Sequence, residues 1–562
     1  MTDSATTTAT GATRLVQALE SLGVELAFGL PGVHNLPIWN ALSASDIRLV
    51  GVRHEQTAVY AADGCARATG RLGVALVTTG PGAANTLGAT GEAMASGSPV
   101  LVIATDIPTT LRREGVYRGT LHETRDQAAM FRPVTKAAFR VDSADEIADA
   151  VFDCAQTALT PPSAPVYLGI PTDLLSRPVQ SGPQPPTAPG ASSPPPPSSP
   201  SAISSVDLAR AAKLLAAAER PLIWAGGGAL RSGARDLISE LALKLAAPVL
   251  TTYMSRGLIS PEHPCAVPGP IHASQVGALW DEADVVLAIG SDLDGMMTQN
   301  WLMPQPPTLI AINVDAADAG KNYRCDLVLV GDARSVLERL TPAAPSRDGL
   351  PELERRLDAL ADEIAASVAA DEEQAAAFLQ IMDRALPPET IVVADMCIPG
   401  YWLGGYRRVP LPRKLAYPVG WGTLGFAFPA SLGSALADAG PTVCVTGDGG
   451  FLYACGELAT AVESAIPVTV VLVDDKGYGM LRYDQERAGD TPFGVDLVGP
   501  DFAALARAFG VPATTIEGFG PEFEQALTDA IAAGEPNMIV VEARLKPPPT
   551  TSPRWYRRAQ QT

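Results

Sequence analysis

The sequence predicts an α/β protein built from three doubly wound parallel sheets. Runs of apolar residues such as VTVVLVDD and PTVCVTGDGG recur along the chain, separated by amphipathic stretches with helical periodicity such as DLISELALKLAA. Strands that are apolar on both faces are typical of parallel sheets covered by helices on each side. Ligands of such sheets bind beyond the carboxyl ends of the strands, so the residues that follow each strand are the candidate functional residues.

Proline content predicts where the chain divides. Ten of the 50 prolines lie in the 23 residues from Pro178 to Pro200, mixed with Ser, Gly and Ala. Such a segment favours extended polyproline II and buries too little apolar surface to fold. A softer break follows Leu340. We therefore predict a domain at 11–177, a linker at 178–204, a central domain at 205–340, a linker or helix at 341–374, a third domain at 375–548 and a tail at 549–562.

Strand signals occur in order through all three domains. In the first domain each apolar run is followed by a loop that contains Gly or Pro. In the other two domains, helix patterns separate the runs. The predicted strands are 26–28, 48–52 and 74–78 in the first domain, 221–228, 284–290 and 308–315 in the second, and 390–396, 441–450, 468–475 and 537–543 in the third.

Composition excludes several functional classes. The chain has 562 residues with 41 Lys and Arg against 61 Asp and Glu, a net charge of −20, which argues against nucleic acid as a partner. The sequence contains no run of 18 apolar residues, so we predict no membrane helix, and its polar N-terminus lacks a signal peptide pattern. Seven scattered cysteines without a Cys-x-x-Cys pair indicate a reducing compartment. We expect a cytoplasmic protein that acts on small molecules.

Two aspartates follow neighbouring predicted strands of the third domain. Asp448 lies within the run Gly447, Asp448, Gly449 and Gly450, where glycines let backbone N–H groups approach an anion. Asp475 follows the next strand, so both carboxylates are predicted to lie near one point and to offer hard oxygen ligands to Mg²⁺. A turn Asp and a helix-capping Asp are the structural alternative, which the combined pattern disfavours.

Glu55 ends one predicted strand and begins a helix, beside His54. A glutamate at this place would stabilise the helix dipole in any protein, so in isolation it has a structural explanation. Further along the same domain, Gly80-Pro81-Gly82 forms a predicted strand-to-helix loop. At 420–437, Gly and Thr precede an apolar helix pattern.

These segments together resemble the thiamine diphosphate-dependent enzymes of the acetolactate synthase, benzaldehyde lyase and 2-oxo-acid decarboxylase group. The resemblance covers nearly the whole chain outside the linker and the N-terminal tail. It implies pyrimidine-binding, central flavodoxin-like and diphosphate-binding domains in that order, with thiamine diphosphate and Mg²⁺ as cofactors. Asp474-Asp475 departs from the Asn-Asn of the family motif. FAD is left open and not predicted, because the stretch VPGPIHASQVG matches the family's flavin segment poorly.

The resemblance also implies roles for individual residues. Glu55 would hydrogen-bond the pyrimidine N1′ and so promote deprotonation of the thiazolium C2. Leu424 would hold the cofactor bent, and the carbonyl of Gly422 would accept a bond from the pyrimidine amino group. Asp448, Asp475 and the backbone carbonyl of Gly477 would bind Mg²⁺. The other residues expected to line the cofactor are Gly80, Pro81, Gly82, Gly447, Gly449, Gly450 and Tyr478.

Two loop histidines are predicted to face the substrate. The segment around His34 resembles those of benzaldehyde lyase and 5-guanidino-2-oxopentanoate decarboxylase, and the segment around His122 resembles that of the guanidino-oxopentanoate enzyme. A histidine can donate to a carboxylate or alkoxide and move a proton near neutral pH. A surface position is the alternative for each. Met480 and Tyr483 predict an apolar substrate pocket, which argues against a guanidinium substrate.

The predicted reaction is decarboxylation of a 2-oxo acid to an enamine. The enamine is then either protonated or added to a second carbonyl, of an aldehyde or ketone, to give a 2-hydroxy ketone. The alternatives are a hydroxy-ketone lyase of the benzaldehyde lyase kind, a flavin-linked 2-oxo-acid oxidase, and a catalytically silent family member. Family members place the cofactor between subunits, so the resemblance implies a homodimer or homotetramer.

Overall fold

The computed structural model describes residues 9–113, 115–179 and 203–549. Most of the predicted linker and nearly all of the predicted C-terminal tail lie outside these residues. Within them, the strands form three sheets in which every pairing between named strands is parallel, which confirms the predicted fold class. In the same described part of the chain, no helix has the length and apolarity needed to cross a membrane. The predicted domain boundaries and the cytoplasmic location stay predictions.

The first sheet has six strands, and helices flank it. Its strands are Leu26–Gly29 (β1), Arg48–Gly51 (β2), Gly73–Val77 (β3), Val100–Asp106 (β4), Ala137–Arg140 (β5) and Val166–Pro171 (β6). The helices are Gly11–Ser21 (α1), Leu36–Leu42 (α2), Glu55–Thr69 (α3), Pro81–Ala84 (α4), Leu87–Ala95 (α5), Gln127–Phe131 (α6), Ile147–Leu159 (α7) and Thr172–Leu175 (α8). The strand order β2-β1-β3-β4-β6-β5 reverses between β1 and β3.

The second sheet has five strands in the order β11-β10-β9-β7-β8. These are Pro221–Ala225 (β7), Val249–Thr251 (β8), Val285–Ile289 (β9), Thr308–Asn313 (β10) and Leu327–Val330 (β11). The helices of this part are Ser205–Ala217 (α9), Gly227–Arg231 (α10), Arg235–Leu245 (α11), Ser274–Glu282 (α12), Ala316–Gly320 (α13), Ala333–Ala343 (α14), Leu350–Asp371 (α15) and Glu373–Ala385 (α16). The strand predicted at 221–228 ends at Ala225, because the glycines that follow lead into α10.

The third sheet has six strands in the order β13-β12-β14-β15-β17-β16. They are Ile391–Ala394 (β12), Leu415–Ala416 (β13), Thr442–Gly447 (β14), Val468–Asp474 (β15), Ala513–Glu517 (β16) and Asn537–Glu542 (β17). The helices are Ile398–Tyr406 (α17), Ala427–Leu436 (α18), Asp448–Phe451 (α19), Leu458–Glu463 (α20), Gly479–Ala488 (α21), Phe502–Ala508 (α22) and Pro521–Ala533 (α23). Renumbered from its own first strand, this order is the same as that of the first sheet.

The shared strand order places a switch point in each of these two sheets. The order reverses between β1 and β3 in the first sheet and between β12 and β14 in the third. A crevice forms beyond the carboxyl ends of the two strands at such a point, because their connections leave in opposite directions. The loops after β1 and β3 contain His34 and Gly80, and Asp448 follows β14. The fold therefore directs the candidate residues of each sheet to its ligand-binding edge.

Contacts divide the described chain into two compact units. The first contains the described residues of Met1–Pro196 together with Gly420–Ala439 and Ala454–Pro467, and thus the first sheet with α18 and α20. The second contains the described residues of Pro197–Val419, Gly440–Tyr453 and Val468–Thr562, with the second and third sheets.

In the first unit, α3 and α18 approach each other at two glycines. A Cβ atom added at Gly64 would overlap the backbone carbonyl of Ala430, and one added at Gly433 would overlap the carbonyl of Ala61. Both helices are buried along most of their length. The absence of a side chain at these two positions is therefore what lets the helix backbones meet.

Replacing Gly64 with Ala should destabilise the protein by about 1 to 3 kcal/mol, because the methyl group forces the two helices apart. Urea unfolding measures the change. Gly88→Ala is the matched control in α5, since nothing lies within 4 Å of its added Cβ, and we expect it to be neutral or slightly stabilising. Equal stabilities for the two variants would contradict the close-packing interpretation.

Candidate functional site

Glu55 begins α3, shortly after β2 ends at Gly51, and is 8% exposed. Its Oε2 accepts a hydrogen bond of 2.9 Å from Nδ2 of Asn85. Its Oε1 lies beside Gly82, where an added Cβ would stand 3.3 Å away. The structure thus brings Glu55 together with the predicted Gly80-Pro81-Gly82 loop.

The two predicted histidines lie against each other. The ring centroids of His34 and His122 are 5.2 Å apart, and the rings meet edge to face at 77°. Among the described residues, neither buried Nδ1 atom has a hydrogen-bond partner. Burial lowers the pKa of His34, the charge of His122 lowers it further, and Asp106 opposes the shift. At neutral pH the neutral form of His34 is therefore favoured, and two charged rings at this distance would repel.

The glycine loop supports the histidine pair. Gly80 has a φ of 65°, a left-handed conformation that suits glycine, and a Cβ there would overlap the backbone of His122. The Gly80 N–H donates a 2.7 Å bond to Oε1 of buried Gln127. The Nε2 of Gln127 in turn donates to the carbonyl of Thr105 and to the hydroxyl of Tyr167. This network fixes the loop between β4, β6 and the segment that contains His122.

The loop before α18 contains the predicted Gly422 and Leu424, and both residues are half-buried in the first unit. Between them, Thr423 Oγ1 donates a 3.3 Å bond to Glu92 Oε2. The other oxygen of Glu92 accepts from Arg67, which also makes two bonds to Asp63. Burial raises the pKa of Glu92, and the Arg67 charge opposes this shift. The loop is thus attached to a buried ion network that begins on α3.

The second unit brings the two predicted aspartates together. Asp448 is 1% exposed, and its Oδ2 has no partner among the described residues, nor does Oδ1 of Asp475. Burial and the facing carboxylate of Asp475 raise the pKa of Asp448 to about 7. Burial also raises the pKa of Asp475, against the opposing charge of Arg482. The buried carboxylate of Asp448 and the half-buried carboxylate of Asp475 therefore face one another at the ends of β14 and β15.

The neighbouring Asp474 has a different environment. Its carboxylate pairs with the ammonium of Lys476 and accepts a 3.2 Å bond from the Lys476 backbone N–H. Consecutive residues at a strand end point to opposite faces, which separates this carboxylate from Asp475. Of the Asp-Asp pair, Asp475 therefore acts more strongly on Asp448, and the charge of Asp474 raises the pKa of Asp448 less.

The remaining predicted residues of the second unit surround these aspartates. An added Cβ at Gly449 would stand 2.7 Å from the ring of Tyr478, and one at Gly450 would stand 2.6 Å from Oδ2 of Asp395. Gly477 is buried, Gly447 lies against Cys397, and Gly479 lies against the Asp475 carboxylate. Met480 and Tyr483 are half-buried on the following helix, α21, where Met480 packs against the hydrophobic core.

The aspartate pair fits a hard divalent cation. Two carboxylate oxygens without partners and nearby backbone oxygens are the donors that Mg²⁺ prefers. In the described part of the chain, no three His, Cys, Asp or Glu side chains come close enough to form a metal site. Such an ion would therefore need backbone, water or ligand oxygens to complete its coordination.

Two parallel sheets have the same strand order, and His34 and Asp448 follow strands at their switch points, which indicates an α/β protein that binds ligands at these sheet edges. Comparison with known proteins identifies the cofactor. Family models for the N-terminal TPP binding, central and C-terminal TPP binding domains of thiamine pyrophosphate enzymes match residues 9–130, 208–340 and 397–541. The chain belongs to the thiamine pyrophosphate enzyme family, whose members make or break carbon–carbon bonds.

Similarity to individual proteins extends over nearly the full length. The chain is 36% identical over 516 residues to a "Probable 2-ketoarginine decarboxylase" of Pseudomonas aeruginosa, covering 90% of this chain and 89% of that protein. It is 32% identical over 559 residues to a "Probable acetolactate synthase large subunit" of Methanocaldococcus jannaschii, covering 94% and 91%. It is 29% identical over 554 residues to the acetolactate synthase isozyme 3 large subunit of Escherichia coli, covering 94% and 93%.

Several polar residues around these clusters were not predicted from the sequence. Asp395 follows β12 and accepts a 3.2 Å bond from Thr446, so the rule that points to strand ends would have found it. Asp63 and Arg67 have the spacing of a helical ion pair, which is also a local signal. Asn85, Gln127 and Glu457 give no such signal, since their partners lie far away along the chain.

Replacing Asp475 with Asn should stabilise the metal-free protein at pH 8. The raised pKa of Asp448 means that its contribution to stability is present at low pH and is lost as pH rises through about 7. Removing the facing charge should reduce that loss by about 1 to 2 kcal/mol. Urea unfolding in a chelator at pH 5 and pH 8 measures it, with Asp490→Asn at an exposed position as the control. The same pH dependence in both variants would contradict this account.

Proposed function

We propose that the protein is a thiamine diphosphate-dependent decarboxylase or carboligase of 2-oxo acids. The observation that carries the proposal is the buried Glu55, oriented by Asn85 beside the glycine loop and in the same unit as the paired histidines. Relatives named acetolactate synthase and 2-ketoarginine decarboxylase support this reaction class.

Thiamine diphosphate supplies a nucleophilic carbon and an electron sink for the cleavage of a bond next to a carbonyl group. Glu55 would hold a proton at the pyrimidine N1′, and Gly80, Pro81 and Gly82 would line the pyrimidine. The Gly422 carbonyl would accept a bond from the pyrimidine amino group, and the Leu424 side chain would support the rings. Burial suits this role, because it keeps bulk water away from the proton that Glu55 would hold.

We assign the aspartate pair to Mg²⁺. Asp448 and Asp475 would each give a carboxylate oxygen and Gly477 its backbone carbonyl, while Gly447, Gly449 and Gly450 would present backbone N–H groups to the diphosphate, next to Tyr478. The buried carboxylate oxygens without partners support this assignment. A cation would offset the charge of Asp475, which together with burial raises the pKa of Asp448.

The histidine pair would hold and donate the proton that the reaction requires. After CO₂ leaves, a proton must reach either the product carbon or the alkoxide of a second carbonyl compound. A histidine ring can hold a proton near neutral pH and donate it. The contact of His34 with His122 supports this role. We place Met480 and Tyr483 at the substrate side chain and propose an apolar 2-oxo acid.

Glu55→Gln should lower turnover by a factor of about 10² or more, because the amide cannot exchange the proton. CO₂ release from a panel of 2-oxo acids, with and without an aldehyde, measures turnover, and calorimetry shows whether the cofactor still binds. Glu25→Gln is the matched control, since Glu25 is exposed in the same unit. Unchanged turnover in Glu55→Gln would refute the mechanism.

The same panel separates the alternatives. Release of CO₂ with an aliphatic 2-oxo acid supports an apolar pocket, whereas exclusive use of a guanidino 2-oxo acid contradicts it. Cleavage of a 2-hydroxy ketone without decarboxylation identifies a lyase. A yellow protein that consumes oxygen identifies a flavin-linked oxidase, and absence of calorimetric binding of thiamine diphosphate with Mg²⁺ identifies a silent member.

Replacing His122 with Asn should shift the acidic limb of the kcat/KM pH profile upward. The charge of His122 lowers the pKa of His34, so its removal lets that pKa rise toward its ordinary value. Turnover should also fall by a factor of about 10 to 100, because one of the two rings that hold the proton is lost. A pH profile from pH 5 to 8 measures the shift, and an unmoved limb would contradict the coupling of the two rings.

A further inference from the structure

We propose that Glu457 is a positioning residue that fixes the backbone of the two residues preceding Glu55 in the chain. It comes from Ala454–Pro467, the distant segment that packs within the first unit. The inference rests on the proposed function, because it assumes that Glu55 is the residue whose orientation matters.

The carboxylate of Glu457 binds the backbone just before α3. Its Oε1 accepts from the N–H groups of Arg53 and His54 at 3.0 and 3.1 Å. Its Oε2 lies 3.1 Å from the same Arg53 nitrogen and accepts a 2.6 Å bond from Thr460 Oγ1. Glu457 is 1% exposed and Thr460 fully buried, so both partners are fixed.

These bonds complete the pairing of the peptide around Glu55. The N–H of Gln56 donates to Nδ1 of His54, and the N–H of Thr57 donates to the His54 carbonyl. The N–H groups of Arg53 and His54 precede the helix and have no place in its hydrogen-bond pattern. His54 caps the helix with its own side chain, and Glu457 binds the two N–H groups at and just before that cap from 404 residues away along the chain.

A buried carboxylate in this place serves more than stability. Burial raises the pKa of Glu457, and the bonds from Thr460, Arg53 and His54 oppose that rise. Glu55 directly follows the two residues whose N–H groups bind Glu457. Rotation of those peptide groups would therefore move the Glu55 carboxyl group away from Asn85. Small misplacements of a catalytic group reduce turnover strongly.

The first test compares four variants with the wild-type protein. Glu457→Ala removes both acceptors and should lower kcat about tenfold or more with little change in KM, since Glu55 is displaced but the substrate pocket is not. Glu457→Gln keeps an oxygen for the two N–H groups and should restore most of the turnover. Thr460→Val should lower kcat about threefold, by freeing the Glu457 side chain.

Glu463→Gln is the matched control. Glu463 lies in the same segment and pairs with the side chain of Arg53 at the surface, so its loss removes a carboxylate near the same residue without touching the backbone bonds. We expect wild-type kcat. Equal effects of Glu463→Gln and Glu457→Ala would overturn the inference. If Glu457→Ala fails to fold, wild-type kcat in Thr460→Val overturns it.

Amide hydrogen exchange of the purified protein gives a readout independent of turnover. The amides of Arg53 and His54 should exchange faster in Glu457→Ala and at the wild-type rate in Glu463→Gln. Unchanged exchange would overturn the inference. Glu55→Gln, measured alongside, separates the two proposals: full activity there refutes the mechanism, whereas an inactive Glu55→Gln with a wild-type kcat in Glu457→Ala refutes only the role of Glu457.

Discussion

The constraint on which this structure depends is the burial of parallel strands on both faces. Strands β3, β4 and β15 bury every residue, and their charged residues, Asp106 and Asp474, stand at the last position of β4 and β15. A charged group in the middle of such a strand would lose its hydration without a partner. Polar functional residues are therefore found beyond the carboxyl ends of the strands, where Glu55, Gly80 and Asp448 all occur. The reversal of strand order decides which of these ends can hold a ligand.

Helix α3 links several features of the first unit. Glu55 stands at its start, Gly64 allows α18 to approach its middle, and Arg67 occupies its last turn. The Arg67 guanidinium is buried with Asp63 and Glu92, an arrangement that is stable only when every member is paired. Because Glu92 also accepts the bond from Thr423, the loop with Gly422 and Leu424 and the carboxylate of Glu55 depend on the same rigid helix.

Local patterns were enough to predict the fold class and the residues at the strand ends, because apolar runs, glycine loops and helix starts are written in short stretches of sequence. The contact of His34 with His122, the bond from Gly80 to Gln127 and the anchoring of Arg53 by Glu457 join residues far apart along the chain, and only the folded topology brings them together. In the sequence, Asp474 and Asp475 are adjacent and look equivalent. Their environments differ in the structure, since consecutive side chains at a strand end point to opposite faces.

That difference determines the electrostatics of the proposed metal site. The charge of Asp474 is partly offset by Lys476, so of the two carboxylates that replace the family's Asn-Asn, Asp475 has the larger effect on Asp448. Two facing carboxylates match the charge of one divalent cation, which favours the ion before the diphosphate arrives. The same pair binds protons when the cation is absent, because the pKa of Asp448 is about 7. Cation binding at neutral pH would then displace a proton, so the affinity for Mg²⁺ would depend on pH. An amide at position 475 would weaken that dependence.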